Sequence, residues 1–194
     1  SVINPTNAYS ATIERSLATA RDAFQDGNLY NLSSILTTGF ASAVDALMGV
    51  KEFVYDRRAV TLAQLREALA ANWRGYEKLR LRVLRSGNKY GNGVDEVDAL
   101  AADLARHLAE RINYRPNTRG GFYIASMHSP PRTYLTFGEK TGATPDGRLA
   151  GDQLSKNVSP TMGMDTSGAT ALVRSVTRID SSRHPGDFPL DMML

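Results

Sequence analysis

Apolar residues recur at helical spacing through most of the first 118 positions. Ile13, Leu17, Ala20 and Phe24 predict a helix over 6–24, which Asp26-Gly27-Asn28 breaks. Leu32, Ile35, Leu36, Phe40, Val44, Leu47 and Met48 predict a second helix over 31–50, with Gly39 marking a junction. A third, over 61–85, carries the stripe Leu65, Leu69, Trp73, Tyr76, Leu79 and Val83. Thr61, with Gln64 three residues on, forms a capping box at its start, and Gly75 marks a kink or a close approach. Asp95 caps a fourth helix, whose apolar face is Val97, Leu100, Ala101, Leu104, Leu108 and Ile112. Pro116 and Gly120-Gly121 close it.

The pattern changes after residue 119. Residues 121–126 and 133–137 are short β-prone runs. Residues 138–168 are rich in Gly, Pro, Ser, Thr and Asp, a loop length that points to function or to a partner surface. Ala169, Leu172, Val173, Val176 and Ile179 predict a last helix. The chain therefore divides into a mainly helical part (1–118), short strands with long loops (119–168) and a helix (169–180), all within one segment, 1–194. Helices followed by sparse strands do not close a small fold. They suit a slice of a larger α/β domain.

Composition narrows the function classes. A chain of 194 residues with 42% hydrophobic and 22% charged residues can bury a core. The net charge of +3 is too mild to point to nucleic acid or an anionic membrane. No apolar run approaches the ~20 residues of a membrane span. The first residues, Ser1-Val2-Ile3-Asn4-Pro5, carry neither a secretory leader nor an initiator Met, which fits a fragment, an engineered boundary or processing; with no other signal the default location is the cytoplasm. The absence of cysteine removes disulfides, thiolate metal sites, a thiol nucleophile and a cysteine radical.

Few side chains form a chemical constellation by spacing. His107, His128 and His184 show no i, i+3 or i, i+4 metal pairing, and no metal site is predicted. Asp95, Glu96 and Asp98 crowd a helix start, where capping and dipole compensation explain them. Arg74, Lys78, Arg80, Arg82 and Arg85 interleave with Trp73 and Tyr76, but the aromatics belong to the apolar stripe and the cations to a solvated face near a helix end, so no nucleic-acid partner is expected. Gly91-x-Gly93 has Glu96 where a dinucleotide fingerprint needs Gly, and neither a Walker A pattern nor a G-x-S-x-G elbow occurs. Thr144-Pro145-Asp146-Gly147-Arg148 is a tight turn with a forked cation behind it.

Set among other blocks, that turn gains meaning. Ala43–Lys51 with Phe53–Asp56, Leu65–Trp73, Asn88–Asn92, Thr141–Gly151 and Ser159-Pro160-x-x-Gly163-x-Asp165-x-x-Gly168-Ala169-Thr170-Ala171 come in one order over residues 30–180. Together they resemble the glycyl radical enzyme family, which includes pyruvate formate-lyase and related radical dehydratases and lyases.

The resemblance implies a ten-stranded α/β barrel, of which this chain is a helix-rich segment. It implies a parent enzyme of the formate C-acetyltransferase, radical dehydratase or lyase type that works on a small-molecule substrate. In that family a backbone glycyl radical and a cysteine meet inside the barrel. A separate activating enzyme, using S-adenosylmethionine and an iron–sulfur cluster, installs the radical. The chain has no cysteine and no Arg-Val-x-Gly-Tyr-like radical loop, so the resemblance assigns it scaffold and cavity wall, no catalytic residue and no bound cofactor, and inactivity alone. Ser159, Thr161 and Met162 resemble a segment that approaches the substrate cavity. Thr144, Pro145, Asp146, Gly147 and Arg148 are expected to be structural, with Arg148 bracing its own loop. The Ser155–Pro160 variant is nearer the dehydratase-like branch than pyruvate formate-lyase itself. Expected partners are the remainder of the barrel, the activating enzyme and, through exposed apolar edges, a second copy of the chain. The alternative is a stand-alone binding module of the same fold without catalysis.

Overall fold

The computed structural model describes residues 5–192. Its elements run α1 (Asn7–Ser10), α2 (Glu14–Thr19), β1 (Ser33–Leu36), α3 (Phe40–Val50), α4 (Leu62–Ala70), α5 (Glu77–Leu84), α6 (Asp95–Ile112), β2 (Tyr123–Ser126), α7 (Thr133–Glu139) and α8 (Ala169–Thr177). A wide π-type turn, Lys51–Asp56, extends α3.

α3 is the hub. Phe40, Ala41, Val44 and Met48 on its inner face pack with Tyr90, with Val97, Ala101 and Ala105 of α6, and with Leu172 and Val176 of α8. Ala101, Ala105 and Ala109 are four residues apart and fully buried, so small side chains line the face of α6 that meets the core. Of the predicted face, Val97 and Ala101 lie in this core, while Leu100 and Leu104 pack at its margin. A second core joins Phe53, Leu65, Ala68, Trp73, Leu79 and Val83.

Several expected elements differ. The helix predicted over 6–24 is α1, α2 and a kinked turn, because Asp22 accepts from Thr6 N–H at 2.6 Å and from the Thr6 and Ser10 hydroxyls, folding the segment back on itself. The Thr6 N–H, and after it the Phe24 N–H and the Thr6 hydroxyl, pull the Asp22 carboxyl down to about 2 against the effect of burial. The helix predicted over 31–50 starts only after Gly39, which has φ +84°. Leu32, Ile35 and Leu36 precede it, in and beside β1, and are exposed. The helix predicted over 61–85 divides into α4 and α5, with Asn72, Trp73 and Gly75 at positive φ between them, while Thr61 and Gln64 make the capping box. Residues 133–137, predicted as a strand, lie in α7: among the described residues no strand lies alongside to pair with them, and Thr133 Oγ1 donates to Pro130 O just ahead of the helix. Val94, rather than Asp95, precedes the first turn of α6.

β1 and β2 form a two-stranded parallel sheet, with Ser33 opposite Tyr123 and Leu36 opposite Ser126. The outer edge of β2 is occupied: Gly186 N–H donates to Ala125 O at 3.0 Å and Met127 N–H to Asp187 O at 2.9 Å. The outer edge of β1 is open. Ser33 and Thr37 N–H groups face β2, so those of Ser34 and Leu36 point away from it and take no backbone partner among the described residues. No helix of the described residues is long and apolar enough to cross a membrane.

Candidate functional site

The Thr144–Arg148 turn closes with Gly147 N–H donating to Thr144 O at 3.1 Å and Thr144 N–H to Arg148 O at 3.1 Å. Gly147 has φ +97°, which only glycine adopts at low cost. The Asp146 carboxylate accepts from the Thr144 hydroxyl and from Arg148 N–H, so the turn is capped from inside. The Arg148 guanidinium donates to Thr144 Oγ1 and to the carbonyls of Thr141, Gly142 and Asp152. It is buried and committed to its own loop.

The rest of the molecule grips this turn by its carbonyls. Lys89 Nζ donates to Asp146 O at 3.0 Å, Arg80 Nε to Gly147 O at 2.7 Å and Trp73 Nε1 to Arg148 O at 3.3 Å. Three consecutive carbonyls thus each hold a side-chain donor. On the other side, Pro145 O lies against α3, where Gly49 leaves it room.

The 159–164 segment faces the turn. Ser159 is buried, and its Oγ accepts from Asp191 N–H at 2.9 Å. Thr161 Oγ1 donates to Asp45 Oδ2 at 3.1 Å. Met162 is exposed, with Gln153 Nε2 at 3.2 Å from its sulfur. Pro160 is seated against Gly91, where any Cβ would clash with it. Two cavities flank the segment. One of about 430 Å³ is lined by Arg80, Leu84, Asp146, Arg148, Thr161 and Met162. A smaller one, about 80 Å³, includes Tyr134, Leu154, Lys156, Ser159 and Met162 in its wall. The structure therefore brings Thr161 and Met162 to the large cavity beside the turn, and places Ser159 and Met162 on the small one.

Sequence reading missed the group that joins these parts. Asp45 on α3 is 1% exposed, and its Oδ1 accepts from Tyr90 N–H at 2.8 Å while Oδ2 takes Thr161. Burial pushes its carboxyl up to about 6, against the pull of nearby Lys89 and the Tyr90 N–H. A signal was present: Asp45 lies four residues after Ala41 and three before Met48, on the buried stripe. Asp98 also departs from its expected role at a helix start. Asp95 pairs with Arg174 and Glu96 with Lys51, whereas Asp98 is fully buried and burial raises its carboxyl above the ordinary value. Two of the basic residues of α5 are engaged locally, Arg80 on the turn and Arg82 over the Phe53 ring at 5.7 Å. Among the described residues no three His, Cys, Asp or Glu gather into a possible metal site.

Residues 2–138 match the family model described as PFL-like, pyruvate formate lyase-like. The chain belongs to the pyruvate formate lyase-like family. It is 31% identical over 182 residues to trans-4-hydroxy-L-proline dehydratase of Clostridioides difficile, covering 94% of this chain and 23% of that protein. Among solved structures it is similar to the glycerol-bound form of the B12-independent glycerol dehydratase of Clostridium butyricum (TM-score 0.86, 31% identity, 96% of this chain and 23% of that one). It is also similar to a glycyl radical enzyme of Archaeoglobus fulgidus (TM-score 0.83, 32% identity, 93% and 23%). The fold is thus that of part of a pyruvate formate lyase-type barrel, and the chain spans about a quarter of the length of the relatives it matches. The Thr144–Arg148 turn and the 159–164 segment lie beyond the family-model match. With no cysteine, these 194 residues offer no thiol.

Proposed function

We propose that this chain forms scaffold and cavity wall of a glycyl radical dehydratase or lyase, with Ser159, Thr161 and Met162 turned toward a small-molecule substrate and Thr144–Arg148 holding the wall in place. The radical is installed on the remainder of the barrel by a separate S-adenosylmethionine-dependent activating enzyme, in the cytoplasm, and the chain alone is inactive. In this reading its own residues bind and orient and keep water out of a dry interior.

The observation that carries the proposal is the open edge of β1. Parallel sheets occur almost always with both faces covered and with more strands, and two strands alone are marginally stable. Here Ile35 and Leu36 of β1 stand 40% and 43% exposed beside Ser34 and Leu36 N–H groups that take no partner among the described residues. A further parallel strand of the barrel would satisfy both. Named relatives of dehydratase type favour that branch of the family.

The coding sequence on either side of this segment tests the reading. An upstream cysteine loop and a downstream radical-glycine loop in the same frame are expected, and a frame with neither would overturn it. In a preparation of the isolated chain, self-association through the β1 edge is expected on size-exclusion chromatography. A monomer whose Ser34 and Leu36 amides are protected from hydrogen exchange would contradict an open edge.

A further inference from the structure

The structure assigns to Asp45 a positioning role: its buried carboxylate fixes the Thr161 hydroxyl and, through it, the 159–164 segment along which the two cavities meet. Asp45 stands between blocks far apart in sequence. From α3 it reaches the 88–92 loop through Tyr90 N–H and the long 140–168 loop through Thr161. Both carboxylate oxygens are used.

The Thr161 bond is the one hydrogen bond that joins residues 161–163 to a helix among the described residues. The stretch is otherwise tied to loops: Met164 N–H to Thr161 O, Asn92 Nδ2 to Met164 O at 2.8 Å and Gln153 to Met162. Release of Thr161 would free the middle of the segment while Pro160 stays seated under Gly91. That would move the Thr161 and Met162 side chains, which wall the larger cavity.

An ionised carboxylate does this more firmly than a neutral group, because hydrogen bonds to a charged acceptor are about twice as strong. The charges around it are set for a switchable hold. Lys89, from the 88–92 loop, favours the ionised form, Asp146 of the turn opposes it, and Thr161 stabilises it by donating. The buried Tyr90 hydroxyl lies within reach of both Asp45 and Asp98 of α6, and the two charges oppose its ionisation. Protonation turns one oxygen into a donor, and the Thr161 hydroxyl then loses its charged acceptor. This role bears on substrate only if the proposed function holds, but the hold itself can be tested without activity.

Methionine methyl NMR on the full chain tests it, since Met162 and Met164 flank Gly163 while Met127 sits in the core. Between pH 7.5 and 5 the Met162 and Met164 signals should shift with a midpoint near 6, and Met127 should stay. Asp45→Asn should abolish that shift. Thr161→Val should hold both signals at their low-pH positions at every pH. Met162 and Met164 signals that do not titrate, or that Thr161→Val leaves at the wild-type high-pH positions, would overturn the assignment. So would movement of Met127 alongside them, which would mark a global rearrangement. A reading frame lacking both flanking loops would remove the proposed function and leave this result standing.

Discussion

Replacing Asp45 by Asn should make the protein more stable at neutral pH. The carboxyl is 1% exposed and raised from 3.8 to about 6, chiefly by burial. Between those values the folded state binds the proton that the unfolded state has released, so stability falls as pH rises through that window and stays low above it. At 1.36 kcal/mol per pKa unit, the ionised side chain costs about 3 kcal/mol at pH 7.5. Asn cannot ionise, yet its Oδ1 can accept from Tyr90 N–H and its Nδ2 can donate to Thr161 Oγ1, so the penalty goes while the contacts have substitutes. The gap between variant and wild type should then narrow from about 3 kcal/mol at pH 7.5 to below about 1 kcal/mol at pH 4. Urea unfolding at several pH values measures it, followed by fluorescence of Trp73, which is the sole tryptophan and 1% exposed. A variant less stable than wild type at pH 7.5, or a gap independent of pH, would refute the reasoning.

Other substitutions probe the frame around the site. Gly49→Ala puts a Cβ 2.5 Å from Pro145 O, so overpacking of about 1–3 kcal/mol should outweigh the ~1 kcal/mol helix-propensity gain and lower the urea midpoint. Thr61→Ala removes the capping box of α4 and should cost about 1 kcal/mol by the same assay, with Thr61→Ser near neutral. His184 is buried, its two ring nitrogens have no partner among the described residues and burial lowers its pKa, so the folded state resists its protonation and stability is lost as pH falls through 6.5. His184→Phe, beside Phe188, should remove that part of the acid sensitivity in thermal unfolding between pH 7.5 and 5.5.

What sequence revealed follows how local each feature is. The Thr61–Gln64 box, the helix of α6 and the start of α8 rest on contacts within a few residues, and capping residues and periodicity found them. β1 was absorbed into a predicted helix because its four residues are held by a partner strand far along the chain, which no local window contains. α7 reads as strand because Thr, Tyr and Phe favour strands, and that preference yields to surroundings. The inner face of α6 was legible only in part: Val97 and Ala101 lie in the core as the pattern predicts, but Ala105 and Ala109 were passed over for leucines. Alanines bury completely where helices approach closely, while the larger leucines that dominate a hydrophobic pattern are left at the margin. The turn was visible as a turn, but its meaning lay in donors from Trp73, Arg80 and Lys89. Asp45 needed only the question why a charge sits on an apolar stripe.

The parallel pairing also sets a timetable for synthesis. Ser33 leaves the ribosome 90 residues ahead of its partner Tyr123. At 5–20 residues per second, β1 waits roughly 5 to 20 seconds for β2 to be made. A short helix can form in about a microsecond, so α3 and α4 can take shape long before the strand beside them finds a mate. During that interval Leu32, Ile35 and Leu36 travel as an unclaimed sticky patch on a nascent chain, where a chaperone would find its first foothold.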